Sequence, residues 1–207
     1  MRAKTRTTLI LSTLISVMPL TLQAADGTHC TYQLDAPQAK VAWTAYKTTE
    51  KVGVTAGFNS VQIKAGKAAK TLPAALKGAS AKIDGLSVES NNEVRNGNLK
   101  QAFFGLLKNK ADIQAAILSA QGDDKQGTAV MNLTLNGKTR KVPMAYTVTD
   151  AGLEATGTID VLDYNGSKAL KALNELCYEL HKGKDGVSKT WSDVALKVTA
   201  PLLKTCN

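Results

Sequence analysis

The plainest pattern in this chain is an alternation of apolar and polar residues. Across residues 127–148, Ala129, Met131, Leu133 and Leu135 alternate with polar or small neighbours. Asn136-Gly137 follows, and Val142, Met144, Tyr146 and Val148 then alternate again. A period of two gives each run one apolar face, and Asn-Gly between two such runs is a strong hairpin signal. The spacing predicts an antiparallel hairpin with Met131 and Met144 facing each other and a cationic tip at Lys138, Arg140 and Lys141. Pro143 has no N–H to give a ladder, which predicts an edge or bulge there.

The same period recurs elsewhere. Val41, Trp43 and Ala45 place a strand over 39–47. Val52, Val54, Ala56 and Phe58 begin another, whose parity slips to Val61 and Ile63 and predicts a β-bulge near Asn59-Ser60. A basic, Ala-rich connection covers 64–77. A strand spans 79–88, with a slip at Asp84-Gly85. Leu99, Phe103, Leu106 and Leu107 have helical spacing and predict a short helix over 98–108. Residues 111–119 fit helix or strand equally. Leu153, Ala155, Gly157, Ile159 and Val161 mark a strand. A helix starts at Asn165-Gly166-Ser167 with a buried stripe of Leu170, Leu173, Cys177 and Leu180. Val194, Leu196 and Val198 mark the last strand. About eight strands and two short helices predict an all-β antiparallel barrel or sandwich. A barrel of that size has room for one ligand, as in lipocalins.

The first 24 residues change the picture of where the chain works. Arg2, Lys4 and Arg6 precede an apolar run over 9–22, with small residues at Ala24 and Ala25. This is the pattern of a secretory signal peptide cleaved after Ala24, or less favourably after Ala25. Residues 25–207 are then one exported domain of 183 residues. No lipobox precedes Cys30, and no later apolar segment is long enough to span a bilayer. Losing three cations takes the formal net charge from +9 to +6. Apart from Arg95 and Arg140, the remaining cations are lysines, which are solvated point charges rather than planar forks. Scattered lysines on an exported chain argue against nucleic acid as a partner.

Export also permits a disulfide among Cys30, Cys177 and Cys206. First and last strands are neighbours in a closed barrel, which favours Cys30–Cys206; Cys177–Cys206 is the alternative. Cys177 and His181 are four residues apart and share a helix face, as metal ligands or a thiol–base pair do, but no third partner is visible. Residues 183–190 mimic a phosphate-binding loop with Ser188 at the place of a required Gly, and a strand rather than a helix follows. Two Asn-x-Ser/Thr sequons stand at Asn132 and Asn165 and point to no chemistry of their own.

Three segments resemble the YceI-like polyisoprenoid-binding family, whose members are exported lipocalin-like barrels. They are Val41-Ala42-Trp43 with Gly57-Phe58; residues 92–100 (NEVRNGNLK) followed by Phe103-Phe104; and residues 137–142 (GKTRKV). The chain differs from the family pattern in having Asn96 for Asp, Asn98 for His and Lys100 for Arg, and in lacking a Pro after the paired Phe. Residues 180–186 and 191–194 resemble a branch of the same family. The resemblance implies a carrier of a long isoprenoid or related amphiphilic lipid in the periplasm.

A filled core is the default reading of any one inward residue. Here the inward set is mostly Ala, Gly, Val, Leu and Met, which leaves space, and Met adapts to a flexible tail. The expected lining is Val41, Trp43, Phe58, Met131, Leu133, Met144, Tyr146 and Val194. One of Phe103 and Phe104 is expected to pack inward and the other to guard an opening. Arg95 has two roles open to it, pairing a head group or holding loop carbonyls, and the second is favoured. Arg140 reads as a solvated charge. The reading that results is non-catalytic binding of a polyisoprenoid or an isoprenoid quinone, with no cofactor and with a transient membrane-surface contact. A filled barrel that binds an anionic surface or a protein partner is the alternative, and a Cys/His redox or metal protein is a third.

Overall fold

The computed structural model describes residues 30–206. The expected signal peptide and its cleavage site lie outside the described residues. The elements run β1 (Cys30–Leu34), β2 (Lys40–Lys47), β3 (Val52–Phe58), β4 (Val61–Lys64), α1 (Leu72–Leu76), β5 (Ser80–Asp84), β6 (Val88–Glu89), α2 (Glu93–Ala102) and β7 (Asp112–Gly122). They continue with β8 (Gln126–Leu135), β9 (Lys138–Thr149), β10 (Gly152–Asp160), α3 (Ser167–Leu176), β11 (Thr190–Ala200) and β12 (Leu202–Cys206).

Ten strands form one antiparallel sheet in the order β4-β5-β7-β8-β9-β10-β11-β2-β3-β6. β4 is one edge of this sheet and β3 lies next to the other, yet only Asn59 and Ser60 separate them in the chain. Two residues cannot cross a flat ten-stranded sheet, whose strands lie about 4.8 Å apart. The sheet therefore curls until its edges meet. The meeting point is hydrogen-bonded: Asn59 N–H donates to the Ser87 carbonyl (2.9 Å), Ser60 N–H to Ser87 Oγ (2.9 Å), and Asp84 N–H to the Ser60 carbonyl (3.1 Å). The result is the expected lipocalin-like, mostly antiparallel barrel.

The strand count is higher than the pattern predicted. The parity slip at Asn59-Ser60 is not a bulge within one ladder but the crossing between β3 and β4. The slip at Asp84-Gly85 is likewise a full break, where a 3-10 turn over Gly85–Ser87 separates β5 from β6 and Asp84 Oδ1 accepts from Leu86 N–H (2.9 Å). The ambiguous stretch at 111–119 is strand, β7.

The helices also differ in place. α2 begins at Glu93, five residues before the predicted start, because Asn92 caps it by accepting from Arg95 N–H (2.9 Å). The low helix propensity of Asn96-Gly97-Asn98 hides that start in the sequence. α3 stops at Leu176, and Leu180 falls in a 3-10 turn with 60% of its surface exposed, so it leaves the predicted buried stripe. Ala169, Leu173 and Cys177 hold that stripe. α1, inside the basic connection, was not predicted.

The hairpin forms with a two-residue turn. Asn136 and Gly137 both take positive φ (51° and 70°), as the turn that matches strand twist requires. Met131 pairs with Val142, and Met144 with Ala129, so the two methionines are diagonal on one face rather than directly opposed. Pro143 sits in a central strand rather than at an edge. The β9–β10 ladder ends one residue away, at Met144–Gly157, so no bond is asked of it.

Cys30 and Cys206 are disulfide-bonded, and Cys177 is free and buried. The pairing agrees with expectation, but the reason differs. β1 and β12 make a separate two-stranded ribbon and do not close the barrel.

Asn136 does more than turn the chain. Its Oδ1 accepts from Lys108 N–H (2.7 Å), and its Nδ2 donates to the carbonyls of Tyr164 (2.8 Å) and Asn165 (3.1 Å). Asn136→Ala should lower stability by about 2–4 kcal/mol, because it strands buried partners and removes a side chain that tolerates positive φ. Chemical denaturation would read this; an unchanged midpoint would show that the tip is not a structural clamp.

Candidate functional site

Alternation along β2, β3, β5 and β7–β11 sends one set of side chains to the concave side of the curled sheet. Ten of the residues lining that space are alanines, so the inward face does not fill it. A cavity of about 220 Å³ remains. Among the described residues no charged one borders it, and the aliphatic hydroxyls on it are those of Ser80 and Thr190.

A second cavity of about 300 Å³ adjoins the first, and the two share Trp43, Ala45, Leu99, Leu173 and Thr190. The outer one is bordered by α2, the end of α3 and the β2–β3 turn region. Its wall includes Lys47, Arg95, Asn92, Asn98, Cys177, His181 and Thr190, with Val94 and Leu180 at the rim. It has two cations and no carboxylate among its lining residues.

Val41, Trp43, Phe58, Phe103, Phe104, Met131, Leu133, Met144, Tyr146 and Val194 all border the inner cavity. Arg95 borders only the outer one. Phe104 is buried and Phe103 half-buried, with perpendicular rings 5.2 Å apart. Phe104 also meets Phe58 edge-on at 5.7 Å, and Trp43 lies 6.5 Å from both. All four rings border the inner cavity, and Trp43 borders the outer one as well. Arg95 Nη1 reaches the Ser90 carbonyl at 3.5 Å, a long contact that leaves most of its donors free. Arg140 is exposed and bonds only the carbonyl of Thr139, as expected of a solvated charge.

Sequence reasoning missed much of the outer wall. Lys47 donates to the Leu180 carbonyl (2.9 Å), which ties strand β2 to the turn after α3. Asn98 Nδ2 lies 3.4 Å from Cys177 Sγ and joins α2 to α3. Thr190 Oγ1 donates its one proton to Asn174 Oδ1 (2.8 Å), so at His181 Nδ1 (2.6 Å) it must accept. That fixes the proton on Nδ1 and leaves Nε2 as an acceptor. Burial, and next the Lys47 cation, pull the His181 pKa below its ordinary value. Asn96 stands where the family pattern has Asp, and it is turned away from both cavities. It accepts from Ser90 N–H (2.9 Å) and Ser90 Oγ (2.7 Å) and donates to Glu89 (3.0 Å), holding the turn before α2.

Cys177 and His181 do not form a reacting pair. Asn98 occupies the thiol and Thr190 the imidazole. Burial pushes the Cys177 thiol up, against a smaller opposing effect of the Asn98 hydrogen bond. Among the described residues, no group of three His, Cys, Asp or Glu side chains is placed to hold a metal.

The YceI-like domain description matches residues 32–200. A polyisoprenoid binding domain from Saccharophagus degradans, implicated in plant cell wall breakdown, shares 18% identity at a TM-score of 0.54, over 82% of this chain and 98% of that one. Burkholderia cenocepacia BcnA shares 15% at 0.53, over 82% and 99%. A mutant Campylobacter jejuni YceI protein shares 16% at 0.50, over 75% and 86%. At such identities the likeness is one of fold. No curated protein matches the chain.

A buried, raised thiol is a poor nucleophile. Cys177 should therefore resist iodoacetamide at neutral pH in the folded chain and react at the normal rate once the chain is unfolded. Fast labelling of folded protein would contradict this placement.

Proposed function

The chain belongs to the YceI-like family, and from that premise we propose that it binds a long-chain isoprenoid or related amphiphilic lipid in the periplasm and sequesters or carries it without chemistry. One observation carries the reading: an apolar cavity with no charge among its described lining residues shares part of its wall with a second cavity, whose described lining has two cations and no carboxylate. An amphiphile with a branched apolar tail and an oxygen-bearing head has the complementary division. Each tail CH₂ moved from water into the inner cavity is worth about 0.8 kcal/mol, so a long tail supplies most of the affinity. Lys47, Arg95, Asn98 and His181 then receive the head, the first three as donors and His181 Nε2 as an acceptor. A polyprenol derivative and an isoprenoid quinone both meet this description.

Periplasmic location is part of the proposal. It is supported by the Cys30–Cys206 disulfide, because such bonds persist in oxidising compartments, and by the family. The solvated hairpin tip has no part in it. The aromatic group of Trp43, Phe58 and Phe104 would line the path where head and tail join.

Native mass spectrometry of protein purified from the periplasm tests the reading. It should show a bound mass that organic solvent removes; protein that carries none and ignores added prenyl lipids would overturn it. Met131→Trp with Met144→Trp should abolish the adduct while circular dichroism stays that of the native barrel. Lys47→Ala with Arg95→Ala should weaken binding of a lipid with an anionic or carbonyl head about tenfold or more, yet leave a headless prenyl hydrocarbon unaffected. Equal losses for both would assign the two cations to structure alone.

A further inference from the structure

The deep end of the inner cavity lies opposite the outer one. β2 and β11 run antiparallel, with Lys47 paired to Thr190 at the outer end and Lys40 to Thr199 at the deep end. The deep end is covered by a second apolar cluster, distinct from the main core, whose members include Leu34, Leu76, Tyr146, Leu153 and Ala200. Each of these five also borders the cavity. They are a wall that faces the cavity on one side and packs on the other.

The β1–β12 ribbon bears on this wall from outside. Leu34 is the last residue of β1, pairs with Leu202 of β12, and is buried with 9% of its surface exposed. Asp35 N–H donates to the Pro201 carbonyl (2.9 Å), and Tyr32 exchanges two backbone bonds with Ala69 (2.8 and 3.1 Å). The ribbon is thus held together up to Pro201, the residue that joins β12 to β11, and is pinned to the connection before α1. Its free end is tied by Cys30–Cys206. The family match ends at residue 200, so both cysteines and all of β12 lie outside it.

We propose that this disulfide-tied ribbon, acting through Leu34, is the floor of the cavity and sets the length of lipid tail the protein accepts. The inference rests on the carrier reading. A two-stranded ribbon is marginal by itself, so the covalent tie keeps Leu34 seated against the pressure of a longer tail. Ala39, just before β2 and also on the cavity wall, is the neighbouring position where added bulk would shorten the space.

The test is competition binding of farnesol, geranylgeraniol and solanesol to the oxidised full chain and to three variants. Leu34→Ala should raise the preference for solanesol over farnesol about tenfold, the equivalent of two more buried methylenes. Cys30→Ser with Cys206→Ser should shift it in the same direction, as should mild reduction of the unaltered chain. Ala39→Leu should shift it the opposite way. Thermal melts confirm that each variant is folded, and the reduced parent chain gives a readout that needs no substitution. A length profile unchanged in folded variants, or affinities that fall equally for all three alcohols, would overturn the floor while leaving the carrier reading intact. An unaltered chain that binds none of the three would remove both.

Discussion

The whole interior depends on the seam at Asn59-Ser60. Passing from β3 to β4 in two residues forces the edges of a ten-stranded sheet together, and three hydrogen bonds across to Asp84 and Ser87 hold them. Once the sheet is curled, the volume inside is set by strand number and tilt. The side chains then decide whether it is filled. Ten alanines among the lining residues leave it hollow, where leucines at the same positions would close it. Curl and small side chains together make the cavity; neither does so alone.

The two ends of the barrel are built differently. At one end β2, α2, the turn after α3 and β11 bring polar side chains to the outer cavity, and several of them have a partner that fixes them. Asn98 holds Cys177, Thr190 holds His181, and the Leu180 carbonyl holds Lys47. At the other end α1 and the disulfide ribbon present only apolar groups. Tyr146 keeps its hydroxyl out of the cavity by donating to the Asp123 carbonyl (2.8 Å). On the proposed reading, this polarity would orient an amphiphile head-outward.

The barrel class and most of the inner wall were legible in the sequence, because period-two alternation carries strand and face together. Met131, Leu133, Met144 and Val194 were found this way. The seam was not legible: a parity slip reads alike for a bulge and for a strand that leaves its partner, and only the partners' positions separate the two. The outer wall was hidden for another reason. Asn98, Lys47, Thr190 and His181 come from three distant stretches, and no local pattern marks their convergence. The early start of α2 was masked by Asn96-Gly97-Asn98, poor helix formers tolerated because Asn92 caps the turn and Asn96 bonds Ser90 and Glu89. The Cys30–Cys206 pairing was expected from barrel closure, whereas it belongs to a ribbon outside the barrel.

The central claim is that the hollow of the curled sheet is where the tail lies. Photocrosslinking with a prenyl probe that carries a diazirine on its tail, mapped by peptide mass spectrometry, tests it most directly. The account predicts labels on inward residues of β8, β9 and β11, such as Met131, Met144 and Leu196. Labels confined to outward positions on the same strands, such as Asn132, Ala145 and Lys197, would contradict it.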